Sequence, residues 1–304
     1  LQKRTTEEYL KLIDGDEELQ KIYKKFTEEL QMQDTYTVNG KQIHGIEHYL
    51  PKNIYQTDKH HLAVVQDIMK GWDKYSMNGK FHAMLATKNI PEAIAYYKLF
   101  KEHYPSMNVA AVFDNNIDNS DEGIAREDAI KDMLKDYNAK YKTAFKLSNY
   151  SQYKKDVAKR LAHKKPHIGI ENDHRQEVDL LIVVTQMLTG FDSKWINTLY
   201  VDKVMKYVDI IQSFSRTNRL FGKGKPFGII KYYSYPYTME QNINDALEVY
   251  ASRPLGVFVD KLERNLCNIN QRYLNIGEIF RSHGIANFEK LPDTRESKNM
   301  FAKC

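Results

Sequence analysis

The sequence predicts an α/β fold of three layers: a mainly parallel sheet covered by helices on both faces, flanked by N-terminal and C-terminal helical segments. Three observations carry that expectation. Short apolar runs alternate with helix-length amphipathic stretches from position 80 to about 250, the rhythm of strand–helix–strand crossovers. The run "VDLLIVV" (178–184) is apolar on both faces, as in a strand buried between helical layers. Polar loops follow the strands "KFHAMLA", "VDLLIVV" and "NTLYVDK", and in such sheets loops and helix N-termini converge at the carboxyl edge.

Taken in order, residues 1–57 are rich in Glu, Lys and Gln and read as one or two amphipathic helices, broken at Asp14-Gly15, and then a turn-prone stretch. Leu62, Val65, Ile68, Met69 and Trp72 recur at helical spacing through 60–76. The strand candidate 80–86 leads into 87–105, where Pro91 suits the first turn of a helix. "NVAAVF" (108–113) is a second strand and 114–123 a polar loop. Helical patterns cover about 124–138 and 150–163. Strands follow at 178–184, 197–203 and 226–233, with a helix over 207–215 and another near 238–251. The tail from about 255 reads as helical. No internal repeat or low-complexity segment is visible.

The 304 residues allow one large or two ordinary domains. With 42% hydrophobic and 28% charged residues the composition is that of a soluble globular protein. No apolar run is long enough to span a bilayer, and no signal peptide is visible. Leu1 stands where a methionine would start a chain, so a piece of something longer is expected. Cys267 and Cys304 are the only cysteines, too few for a disulfide framework or a thiolate metal site; a reducing cytoplasm is the expectation. A net charge of +5 suits a polyanionic partner only weakly.

The segment "IIQSFSRTNRLF" (210–221) spaces Gln212, Arg216 and Arg219 four and then three apart. On a helix those side chains fall within roughly 60° of one another, opposite Tyr207, Ile210 and Phe214. A solvated polar face is the ordinary reading of such a stripe.

With its neighbours, however, the segment resembles something more specific. "FHAMLATKNI", "DLLIVVTQMLTGFD" and "QSFSRTNR" resemble motifs IV, V and VI of the second RecA-like domain of superfamily 2 helicases and translocases. The stretch from "LLIVVTQMLTGFD" to "SRTNRLFG" is closer still to the motor (R) subunit of type I restriction–modification enzymes, and the likeness spans roughly 60–260. Ser215 and Asn218 stand where the common motif VI has glycines, as they do in the R-subunit family. The resemblance implies a RecA-like domain at 60–254, a helical lead-in at 1–59 from a first motor domain, and the start of a C-terminal helical region at 255–304.

It further implies ATP and Mg²⁺ held between two RecA-like lobes, with arginines of the second reaching the γ-phosphate. Arg219 would be the arginine finger and Arg216 its companion. Gln212, Gly190 and Asp192 would approach the nucleotide, Asp192 through ribose or by orienting Arg219. An ordinary cap or turn role is the alternative for Asp192. Thr87, Lys88 and Thr185 would lie on the nucleic-acid side, where phosphate contacts carry no sequence information; the alternative for Thr87 is a strand-terminating cap. Implied partners are double-stranded DNA, the first RecA-like and nuclease domains of the same subunit, and the specificity and methyltransferase subunits.

Lys154, Lys155, Lys159, Arg160, Lys164 and Lys165 form a basic helix and exit that could track a DNA backbone, although charge runs are usually solvated faces. The aromatic cluster 231–237 reads as sheet-edge and core packing. His60-His61 and His163/His167 lack metal-ligand company in the sequence, and no metal is expected. No Gly-x-x-x-x-Gly-Lys-[Ser/Thr] loop, Asp-Glu-x-His acid motif or Asp…Glu-x-Lys nuclease motif occurs, so this chain alone is expected not to hydrolyse ATP. The competing reading is a non-catalytic nucleic-acid-binding module with a helicase-like fold. A methyltransferase-type or nucleotide-sugar enzyme is disfavoured, because no glycine-rich fingerprint follows any strand.

Overall fold

The computed structural model describes residues 14–113, 123–184, 191–219, 221, 224–225, 227–251, 262–285 and 288–290. By internal contacts the chain divides between Ala246 and Leu247. Among the described residues of the first unit, the earliest element is helix α1 (Glu17–Lys24), capped by the Asp16 carboxylate on the amides of Glu18 and Leu19. A hairpin follows, β1 (Thr35–Val38) against β2 (Lys41–His44). Its turn is Asn39-Gly40, with φ of 51° and 77°, the left-handed pair that a two-residue hairpin turn requires. Composition alone marks this stretch only as turn-prone, although "VNGK" is the signal of such a hairpin.

Helices α2 (Asp58–Lys70) and α3 (Trp72–Ser76) precede the sheet. Strand β3 (His82–Thr87), helix α4 (Ile90–His103), β4 (Val109–Val112), α5 (Gly123–Tyr141), α6 (Tyr150–Leu161), β5 (Leu180–Val183) and β6 (Ile196–Asp202) come next. Then α7 (Tyr207–Phe214), β7 (Ile229–Tyr232) and α8 (Pro236–Ala251) follow. Five strands pair in the order β4-β5-β3-β6-β7, all parallel. This is the expected α/β RecA-like architecture. Strands β3, β5 and β6 are buried along their whole length, because a parallel sheet packs helices on both faces. Phe100, Leu181, Ile182, Leu199 and Val201 are fully excluded from solvent.

The lead-in is fastened to this unit. The buried Glu47 carboxylate accepts from the amides of Tyr237 and Thr238, at 3.1 and 2.8 Å, at the start of α8. A helix N-terminus favours an anion because its first amides lack intrahelical partners. Asp34 N–H also donates to Thr238 Oγ1 at 2.8 Å.

In the second unit, α9 (Leu262–Ser282) buries Ile279 and Phe280 beside Ile285, with the Phe280 and Phe288 rings 4.9 Å apart edge to face. No helix among the described residues is long and apolar enough to cross a membrane.

Candidate functional site at the two edges of the sheet

Strand direction sorts the candidate residues. Thr87 ends β3 at the carboxyl edge and pairs there with Asp202, the last residue of β6. Thr87 is fully buried, and its hydroxyl is shared between the carbonyls of Asn89 and Val183, at 3.2 and 3.3 Å. It therefore does not turn that hydroxyl toward a phosphate; it ties the ends of β3 and β5 together. The helix cap is the next polar residue but one, Asn89, whose side chain accepts from Glu92 N–H at 2.9 Å. Lys88 is exposed and lines a cavity of about 260 Å³ with Lys52, Tyr55, Glu92, Asp202 and Tyr235.

Asp202 anchors this edge. It is buried and accepts from His60 Nε2 at 2.9 Å, from the Tyr96 hydroxyl and from the Ser234 hydroxyl. Burial alone would raise its pKa; the donors from His60, Ser234 and Tyr96 outweigh that and hold the carboxyl below its ordinary range. Nearby, Lys203 donates to the Val184 carbonyl at 2.6 Å, and burial lowers its pKa.

The arginines lie elsewhere. Helix α7 leaves the carboxyl edge after β6 and, over eight residues, covers about 12 Å back across the sheet face. It ends at Phe214, short of both arginines, so Gln212, Arg216 and Arg219 do not form the continuous helical stripe that spacing predicts. The hydroxyls of Ser215 and Thr217 turn back onto the carbonyls of Gln212 and Phe214, at 2.7 and 3.1 Å. Such local bonds compete with helix continuation.

The turn that follows packs at the amino edge. Phe221 meets Trp195 and Phe81, residues that immediately precede β6 and β3. Gly228 approaches so closely that a Cβ there would run into the Thr217 backbone and side chain.

At this edge the structure joins two of the sequence motifs. Arg219 Nε lies 2.9 Å from Asp192 Oδ1, with the two side chains 61% and 53% exposed. The half-buried Arg216 donates to the carbonyl of Gln212 at 3.0 Å and to that of Phe191 at 2.5 Å. Gln212 is exposed on α7. Gly190 and Thr185 lie outside the described residues.

The candidate residues thus divide between the two edges of the sheet. Asp192, Arg216 and Arg219 sit at the amino edge, and Thr87 and Lys88 at the carboxyl edge. The six-residue β3 separates the two edges by about 20 Å. For Arg216 and Arg219 the reason is the crossover: residues that follow helix α7 emerge at the edge opposite the one it left, whereas Asp192 lies there because it shortly precedes β6.

Residues 79–235, just over half of the 304, match the family described as type I restriction enzyme subunit R domain 3. The chain belongs to the type I restriction enzyme R-subunit family. It is 34% identical over 208 residues to the endonuclease subunit of a type I restriction enzyme from Staphylococcus aureus (strain MRSA252), covering 66% of this chain and 21% of that protein. The corresponding subunit of Staphylococcus saprophyticus is 31% identical over 232 residues, covering 73% and 23%. A putative subunit from Methanocaldococcus jannaschii is 22% identical over 240 residues, covering 79% and 20%. The chain spans about a fifth of the length of the curated relatives it matches.

Within this R-subunit chain the basic helix α6 is only partly a surface feature. Lys155 and Lys159 are exposed and Lys154 half-buried, over the Tyr150 ring. Arg160, expected in the same patch, is buried instead. It pairs with Asp156 at 3.1 Å, donates to the Gln176 carbonyl at 2.9 Å and stacks over Tyr141 at 4.0 Å. Its planar fork, serving two different acceptors while stacked on a ring, suits that setting better than an ammonium would. Arg160→Ala is expected to cost about 2–3 kcal/mol, because Asp156 keeps its Tyr137 and His167 partners. Thermal unfolding should show that loss in Arg160→Ala and not in Lys155→Ala or Lys159→Ala.

Lys225 carries no sequence signal of its role. It is fully buried, donates to the carbonyls of Lys194 and Ile196, and is pushed by burial to about 8. It pins the segment after the arginines to the start of β6. Nothing in "GKGKP" distinguishes it from a surface lysine.

Proposed function

We propose that this chain is the second RecA-like lobe of an ATP-driven, double-stranded-DNA-translocating R subunit, lending Arg216 and Arg219 to ATP gripped by a first lobe. The observation that carries this reading is the Arg219–Asp192 pair. It sits on an exposed rim, where an ion pair contributes only about 0–1 kcal/mol. Asp192 therefore holds the guanidinium in a defined direction without locking it. A triphosphate arriving on a facing lobe offers far more charge than one carboxylate and can take the fork over. Before nucleotide arrives, Arg216 is tied to backbone carbonyls and fixes the turn that presents Arg219. Gln212, one turn back on α7, is placed to report nucleotide occupancy.

DNA would run along the carboxyl edge, where Lys88 and Lys52 border the cavity and contact phosphates without reading bases. Helix α7 begins at that edge and ends beside the arginines. It is a rigid link of about 12 Å between the DNA side and the nucleotide side. ATP and Mg²⁺ would be bound mainly by the first lobe, since this chain has no phosphate-binding loop.

The test is reconstitution: this chain mixed with, or fused to, the first motor domain of a related R subunit, assayed for ATP turnover with and without duplex DNA. Turnover stimulated by DNA and dependent on both pieces is expected. A mixture that associates yet turns over no faster than the first domain alone would refute the proposal, leaving a DNA-binding module without motor chemistry.

A further inference from the structure

A second constellation lies at the amino edge, apart from the arginines. His82 opens β3, His163 follows α6 by two residues, and Glu177 ends the connection into β5, so three distant segments meet. His82 Nε2 and His163 Nε2 are 2.8 Å apart, and Glu177 Oε1 is 3.8 Å from His163 Nε2. One donor atom from each of the three residues lies within 4.8 Å of the other two, on side chains that are all buried.

Their outer partners determine what points inward. Glu171 Oε2 lies 2.8 Å from His163 Nδ1, which places the proton of a neutral His163 on Nδ1 and turns the Nε2 lone pair to the centre; the tautomer follows from the partner. The other oxygen of Glu177 is taken by His174 Nδ1, leaving Oε1 to face the same point. Without a cation, His82 Nε2–H donates to that His163 lone pair at 2.8 Å, and His82 Nδ1 is buried without a hydrogen-bond partner. With that proton moved to Nδ1, two lone pairs and a carboxylate oxygen converge on one point. A metal ion at that point would take the place of the single proton that bridges the two rings.

We infer that His82 Nε2, His163 Nε2 and Glu177 Oε1 bind a divalent transition-metal ion, Zn²⁺ by the nature of the donors, which fastens the 162–177 connection to the start of the sheet. Two imidazoles and a carboxylate suit Zn²⁺ rather than Mg²⁺ or Ca²⁺, which take oxygen ligands. Water completes the shell. Glu171 on His163 and His174 on Glu177 are the outer hydrogen bonds that orient metal ligands. The two Nε2 atoms need to part by only about 0.5 Å to accept an ion at the usual Zn–N distance. The Trp195 ring stacks on His163 at 4.0 Å and is a built-in optical reporter.

The experiment uses this chain stripped by chelator and titrated with Zn²⁺ or Co²⁺. Metal content, Co²⁺ visible absorption and Trp195 fluorescence in a Trp72→Phe background are the readouts. One equivalent is expected, with tetrahedral-type Co²⁺ bands, quenching of Trp195 by Co²⁺ and a higher melting temperature with Zn²⁺. Binding should vanish in His82→Ala and in Glu177→Gln, persist in His103→Ala, and weaken by about 10–100-fold in Glu171→Gln. Glu177→Gln keeps the side-chain volume, so it decides the matter if His82→Ala does not fold. Folded wild-type protein that takes up no stoichiometric metal, or uptake unchanged in Glu177→Gln, would overturn the site.

Discussion

Arg219→Ala in a full-length R subunit is expected to lower DNA-stimulated ATP turnover by about 10³–10⁵-fold while DNA binding survives. The magnitude is that of an arginine finger, whose permanent, planar charge neutralises a phosphoryl group in transfer. Loss of turnover should not come from unfolding. The Arg219 side chain is 61% exposed and its one described ion pair lies on the rim, so the melting temperature should barely move. Arg219→Lys should recover little, since an ammonium cannot present two parallel donors. Asp192→Asn should do less damage than Arg219→Ala, because it removes an orienting partner and leaves the charge in place. Steady-state ATPase and a DNA-binding isotherm on the same preparations check this. Turnover equal to wild type in Arg219→Ala would remove the finger assignment.

Asp202→Ala is expected to produce the largest loss of stability, about 3–5 kcal/mol. It would leave His60, Tyr96 and Ser234 with donors aimed at an apolar methyl in a buried place. For a unit of this size the melting temperature should fall by roughly 6–20 °C. The carboxyl also implies a pH dependence with a definite sign. Its folded-state pKa lies below the ordinary value of 3.8. Its contribution is therefore fully present above that value and is lost as pH falls through the folded-state pKa. Denaturant unfolding at neutral pH and at successive steps below about pH 4 should show a steeper acid loss in wild type than in Asp202→Asn. Parallel acid limbs in the two proteins would rule out this carboxylate as their source.

Much of the architecture was legible because it is written locally. Runs such as "VDLLIVV" and the 3.6-residue rhythm of 60–76 reflect interactions between near neighbours, and the strands and helices fell where those periods placed them. The hairpin at Thr35–His44 was equally legible through Asn39-Gly40, yet neither of its strands buries a residue, so the apolar alternation that marks a strand is weak there. The pairing of Asp192 with Arg219 was foreshadowed as one of three readings of Asp192, beside a ribose contact and an ordinary cap or turn. The end of α7 at Phe214 was not, because it depends on hydroxyls of Ser215 and Thr217 choosing backbone carbonyls over solvent.

By itself, then, the sequence determined the alternating elements, the parallel sheet and the motifs that mark an R-subunit chain. All of these depend on side-chain period and short spacing. Tertiary structure alone decided which edge each motif reaches, because a crossover helix moves its successors across the sheet whatever their spacing. It turned Arg160 from a surface cation into a buried one over Tyr141. It also gave His163 a partner 81 residues away in His82 rather than its near neighbour His167. Contacts of that range depend on how layers pack, and packing energy is shared among many residues, none of which records it alone.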